Sequence, residues 1–205
     1  MACKNIITIA RQFASGGHEI GEALSKELGI KFYDKELISI AAKESDIDSR
    51  VFDDVDEKAT NSLLYSLSMG IYSFGSGYSS VKLPVNDELY LLQHKIIKQL
   101  ANEEPCIFVG RCADYILEDR KDVVKLYIYA DDDFRVKRII ESEGVKESKA
   151  EQIVTKADKS RANYYNFYSG KKWGLPKNYD LCINRTNLTT QQVVKIISDY
   201  IDTIN

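Results

Sequence analysis

Ala14-Ser15-Gly16-Gly17 follows directly on an apolar, β-branched run (NIITIA, 5–10) and precedes a helical pattern. A loop between a buried strand and a helix turns several backbone N–H groups toward one point, where the helix dipole adds positive potential. Glycine lets an anion approach that backbone and permits the positive φ such loops use. The chemistry suited to residues 11–21 is therefore phosphate binding, lined by Ala14, Ser15, Gly16, Gly17, His18 and Glu19. The fullest form of the loop is G-x-x-x-x-G-K-[ST], in which lysine reaches the β- and γ-phosphates and the hydroxyl holds magnesium. Here Gly17 stands at the lysine position and His18 at the hydroxyl position. A turn that carries glycines for packing alone is the other reading of these residues.

Phosphoryl transfer is mostly positioning plus neutralisation of charge, so a site for it needs cations. Arg11 lies at the mouth of the loop and is placed to supply part of what the lysine would give. Arg111 follows a buried run at its carboxyl end, where ligands collect in α/β proteins. Arg161 sits in a tyrosine-rich stretch with Tyr164, Tyr165, Tyr168 and Trp173, rings that either stack on a base or pack the stretch onto the core. Arg135 and Arg138 are three apart after Asp131-Asp132-Asp133 and share a helix face, open to phosphates or to acidic neighbours. Asp34 and Asp114 follow strands and are the carboxylates suited to magnesium or acceptor contact, or to capping the next helix. His94 reads as structural.

The elements that would position these groups alternate. Ile20, Leu24 and Leu28 predict a helix ended by Gly29, and Lys31-Phe32-Tyr33 a second strand. Leu89, Leu92, Ile96 and Leu100 share a helix face before a strand at 106–109. A strand at 123–129 (VVKLYIY), a short one at 181–183 and a final helix near 190–201 complete the series. Apolar runs alternating with helices predict an α/β fold with a parallel sheet of about five strands, covered on both faces. Two segments stand outside this alternation. Residues 35–85 are rich in Asp, Ser and Tyr, with a Gly/Ser-rich centre at 66–80, and 141–178 are charged, then aromatic. Long segments of this kind in a compact domain read as lids or binding loops.

The chain has 205 residues, 44% hydrophobic and 29% charged, enough for one domain with a real core. A net charge of −3 speaks against a general nucleic-acid binder, though not against a local basic pocket. No run approaches the ~20 apolar residues that span a bilayer. The opening MACKNIITIA has no signal-peptide pattern, and a cytoplasmic location is expected. Four cysteines without a C-x-x-C pair, and two histidines, do not suggest a zinc site.

ITIARQFASGGHEIGEALSKELGIKFYDKELI (7–38) resembles the opening of the cytidylate kinase-like family, a branch of the P-loop nucleoside monophosphate kinases. The resemblance continues, in order, through FVGRCADY (108–115), DKSRANYY (158–165) and YDLCIN (179–184). It implies one P-loop kinase domain with its core at 4–34, 86–140 and 179–203. An acceptor-binding insertion at 35–85 and a lid at 141–178 complete it. Gly110-Arg111 is similar to the pair whose arginine meets the acceptor nucleotide, and Asp158 to Arg161 resembles the D-x-x-R of the lid. Asp34, Asp114, Asp158 and Tyr164 are then acceptor-side candidates, and Arg135 and Arg138 cofactor-side ones. Glu19 stands where the family of authentic cytidylate kinases has threonine, and Lys35 and Ile40 replace a hydroxyl residue and an arginine of the acceptor grip.

The expected activity is ATP-dependent phosphoryl transfer to a nucleoside monophosphate, with ATP and Mg2+ implied by the resemblance and Arg11, Arg111 and Arg161 as the catalytic cations. A non-catalytic nucleotide- or anion-binding module, and a kinase for another small molecule, are the alternatives. The expected partner is a nucleotide or other small anion, with neither nucleic acid nor membrane, and a homodimer through the tyrosine-rich stretch stays open.

Overall fold

The computed structural model describes residues 4–34 and 85–204. The segment 35–84, which holds most of the expected acceptor-binding insertion with Lys35 and Ile40, lies outside the described residues. The described elements run β1 (Ile6–Arg11), α1 (Gly17–Leu28), β2 (Lys31–Tyr33), α2 (Val85–Glu103), β3 (Cys106–Val109), α3 (Ala113–Ile116) and β4 (Val123–Tyr129). They continue with α4 (Asp132–Glu143), α5 (Glu147–Ser169), a 3-10 turn (Pro176–Asn178), β5 (Leu181–Asn184) and α6 (Thr190–Ile204).

The five strands pair in the order β2-β3-β1-β4-β5, all parallel. β1 is central because its residues are apolar on both faces. Ile7 and Ile9 join Ile20 and Leu24 of α1 and Val193, Ile197 and Ile201 of α6 on one side. Ile6 joins Leu92, Ile96 and Ile97 of α2 and Phe108 on the other. Burying an isoleucine of this kind is worth about 2 kcal/mol, so β1 anchors both layers. β1 sends its connection toward β2, and its neighbour β4 sends its connection toward β5. A crevice therefore opens at the carboxyl end of β1, where such sheets bind ligands.

The expected α/β parallel sheet is present, and every strand anticipated from sequence forms. Residues 141–178 differ from the irregular insertion the sequence suggested, since α5 occupies 147–169 as one helix. Its buried residues are only Ala150, Val154, Tyr165 and Ser169, too sparse to print a continuous apolar stripe. Ala150 and Val154 pack on Val136 and Ile139 of α4, with Phe13 and Ala14 of the loop against them. No helix among the described residues is long and apolar enough to cross a membrane.

Candidate functional site

The loop leaves β1 with Gln12 donating its amide to Ile128 O at 3.0 Å, so the exit from the sheet is fixed by the neighbouring strand. Ala14 and Gly16 take positive φ (59° and 78°), which folds the loop tightly before α1 starts. The fully buried Ser15 points its hydroxyl inward, within 2.9 Å of Gln12 O and 3.1 Å of Ile128 O. Among the described residues, the amides of Gly16, Gly17, His18 and Glu19 meet no backbone acceptor and no side-chain cap. Four open N–H groups at the start of a twelve-residue helix form a cradle for an anion.

Arg11 crosses from this cradle to the end of β3. Its stem lies on Gly17, where a Cβ would fall 2.6 Å from Arg11 Cβ, and its guanidinium lies on Gly110, where a Cβ would fall 2.0 Å from Nη1. Gly110, Arg111 and Cys112 are all left-handed (φ 82°, 56° and 56°). For Arg111 and Cys112 that conformation costs on the order of 1 kcal/mol each, and strain of this kind concentrates at functional sites. It turns the Arg111 guanidinium toward Tyr164 of α5, 5.9 Å from the ring centre. Arg161, also from α5, donates to Arg11 O at 3.1 Å and lies 5.3 Å from the Phe13 ring centre.

Arg11, Arg111 and Arg161 thus meet at the crevice, and among the described residues no carboxylate forms a salt bridge with any of them. Burial, then the Arg161 and Arg111 charges, lowers the Arg11 pKa to about 9, and Asp34 opposes them. Burial likewise lowers Arg161, with Asp158 opposing. Cations this crowded favour an anion among them.

The other candidates are placed as follows. Asp34 Oδ2 is 2.9 Å from Nε2 of the exposed His18, beside the loop. Asp158 accepts the Phe13 amide at 2.7 Å and is ion-paired to Arg135, which also pairs with Asp132 and is only 4% exposed. Arg138 is paired to Glu19. Asp114 turns under α5, 6% exposed, and accepts from Tyr165 Oη at 2.7 Å; burial raises its pKa, which that bond opposes. Tyr164 donates to the buried Gln93 at 3.2 Å, while Tyr168 stacks on Tyr90 at 4.0 Å and Trp173 meets Tyr127 edge-on. These tyrosines therefore dock α5 on α2, and Trp173 covers β4.

Sequence reading missed Arg185. One residue beyond β5, it is 6% exposed and lies over the loop: a Cβ on Gly16 would fall 1.8 Å from its Nη1. The signal that picked Arg111, an arginine just past the carboxyl end of a strand, applies to Arg185 as well.

A magnesium ion held by the loop does not fit these groups. Ser15 faces the sheet, and Glu19 is occupied by arginines. Among the described residues, no three His, Cys, Asp or Glu side chains converge as a metal site.

The sequence model of the cytidylate kinase-like family matches residues 6–187. The crystal structure of an uncharacterized protein from Eubacterium ventriosum ATCC 27560 is 30% identical, with a TM-score of 0.73 over 97% of this chain and 98% of that one. Shikimate kinase from Acinetobacter baumannii, in complex with shikimate, has a TM-score of 0.55 at 10% identity, over 100% and 96%. A gluconokinase from Sinorhizobium meliloti 1021 has a TM-score of 0.54 at 11% identity, over 100% and 95%. The two kinases share the fold. No curated protein matches the chain.

Proposed function

Because the chain belongs to the cytidylate kinase-like family, we propose that it transfers the terminal phosphoryl group of ATP to a nucleoside monophosphate. The observation that carries this reading is the meeting of Arg11, Arg111 and Arg161, with no salt-bridged carboxylate among the described residues, beside the amides of residues 16–19, which are open among the same residues. In-line transfer asks a protein for alignment and for charge that matches the equatorial oxygens. The amides hold the donor's phosphates, and Arg11, lying between Gly17 and Gly110, faces the group in transit. Arg111 holds the acceptor phosphate from the β3 side. Arg161 contributes from α5, and its bond to Arg11 O ties the helix to that position. Preorganised cations of this sort are worth several kcal/mol of transition-state stabilisation, about 3–4 for a single strong donor.

The test is ADP release from ATP with magnesium, run against CMP, dCMP, UMP, AMP and GMP. Acceptor-dependent turnover supports the proposal. A second reading, a non-catalytic nucleotide- or anion-binding module, is favoured by the Asp158 carboxylate seated on the Phe13 amide, which already caps part of the loop. ATP binding without transfer to any acceptor selects that reading.

A further inference from the structure

Arg185 is a buried guanidinium with too few acceptors. It carries five N–H bonds. Among the described residues its one hydrogen-bond acceptor is Glu19 Oε2, at a long 3.4 Å, and its Nε is buried without a partner. The face of Phe134 lies 5.5 Å from the guanidinium carbon, which supports a cation there but accepts no hydrogen bond geometrically. Buried donors are normally satisfied, so the unmet one here calls for an explanation, and an acceptor that arrives from outside supplies it. Burial and the neighbouring Arg138 lower the Arg185 pKa, while Glu19 opposes them.

The position of the group says what that acceptor is. Its Nη1 covers Gly16, the residue that opens the amide cradle, so the guanidinium and the four open N–H groups border the same space. Glu19 stands at the edge of it, its side chain half exposed, and holds Arg138 with one oxygen and Arg185 with the other. A carboxylate here meets both cations with a single negative charge and leaves Nε unmatched. A chain of phosphates carries more charge and more acceptor oxygens, in the geometry that arginine matches best.

We infer that Arg185 is the cation of the phosphate loop, binding a polyphosphate over Gly16, and that Glu19 is an internal competitor which holds Arg185 and Arg138 until the ligand displaces it. The inference rests on the phosphate-loop reading above but not on phosphoryl transfer.

The experiment is calorimetric titration of the full chain with inorganic pyrophosphate, with inorganic phosphate and with ATP, for wild type, Arg185→Gln, Arg185→Lys and Glu19→Gln. Arg185→Gln is expected to weaken pyrophosphate and ATP at least tenfold, and Arg185→Lys to recover part of that. Glu19→Gln is expected to tighten both several-fold, because the competitor is gone while both cations remain. A merely structural Glu19 would give weaker binding or none of this gain, and that result overturns the inference, as does Arg185→Gln binding like wild type. If Arg185→Gln fails to fold by circular dichroism, Glu19→Gln alone decides by the direction of its effect. Tight pyrophosphate and ATP binding with equal affinity for phosphate shows a single-phosphate site and also overturns it. Absence of acceptor-dependent turnover alongside these expected shifts sinks the kinase reading and leaves this one standing; turnover unaffected by Arg185→Gln does the reverse.

Discussion

The Asp158 carboxylate accepts the amide proton of Phe13 at 2.7 Å, which ties the middle of α5 to the phosphate loop. The same carboxylate is paired to the buried Arg135. Asp158→Ala therefore leaves a cation short of a partner and an amide unmet, at an expected cost of about 2–4 kcal/mol. Asp158→Asn, which still accepts from Phe13, loses less. Urea denaturation midpoints check the order wild type, Asn, Ala.

Arg11→Gln relieves the crowding of Arg11 against Arg161 and Arg111. The variant is expected to be more stable than wild type without ligand, by about 1 kcal/mol, as residues retained for function often cost stability. On the proposed function it also loses binding of ATP and turnover. Thermal melts with and without ATP read both effects; a less stable variant that still binds ATP contradicts the cluster's role.

Arg111 adopts φ 56°, which glycine takes freely. Arg111→Gly should gain about 1 kcal/mol from the backbone. On the proposed function it also loses at least 100-fold in turnover, the scale of removing one charge-stabilising donor. Stability gained together with activity lost separates strain from structural need. Activity retained shows that the cation is dispensable.

Burial raises the pKa of Asp114, so its folded value lies above its unfolded one. The folded state then binds the proton more tightly, and this contribution is fully present below about pH 3.9, the unfolded value. It is lost as pH rises through the folded value. Asp114→Asn, which keeps an acceptor for Tyr165, is expected to flatten that decline and to be the more stable protein at pH 7. Stability measured from pH 4 to 8 for both proteins tests the sign.

Local pattern carried most of the fold. The β-branched runs, the stripe of Ile20 and Leu24 and the Gly29 stop are one-dimensional signals, and each became the element it suggested. Arg11 and Arg111 were findable because strand ends in a parallel sheet gather at one crevice, and Arg161 because it stands in a tyrosine-rich stretch. What the sequence hid depends on distance in space. Asp114 follows a strand as an active carboxylate would, yet the turn at Gly110 rotates it under Tyr165. Arg185 is 169 residues after Gly16 in the chain, and only the β4–β5 pairing brings it over the loop. α5 escaped notice because polar partners, Asp158 and Arg161, do much of its docking.

The contact of the Arg11 stem with Gly17 has a consequence for which side chains this loop accepts. A Cβ at position 17 would fall 2.6 Å from Arg11 Cβ and 2.8 Å from Cγ, so lysine there collides with any side chain at position 11 unless the backbone shifts. Replacing Arg11 by glycine removes that contact together with one of the guanidinium groups beside the loop. A side chain at 17 and a side chain at 11 thus exclude one another on this backbone, and only glycine at 11 makes room for lysine at 17. The two positions are coupled, so the effect of a substitution at one depends on the residue at the other.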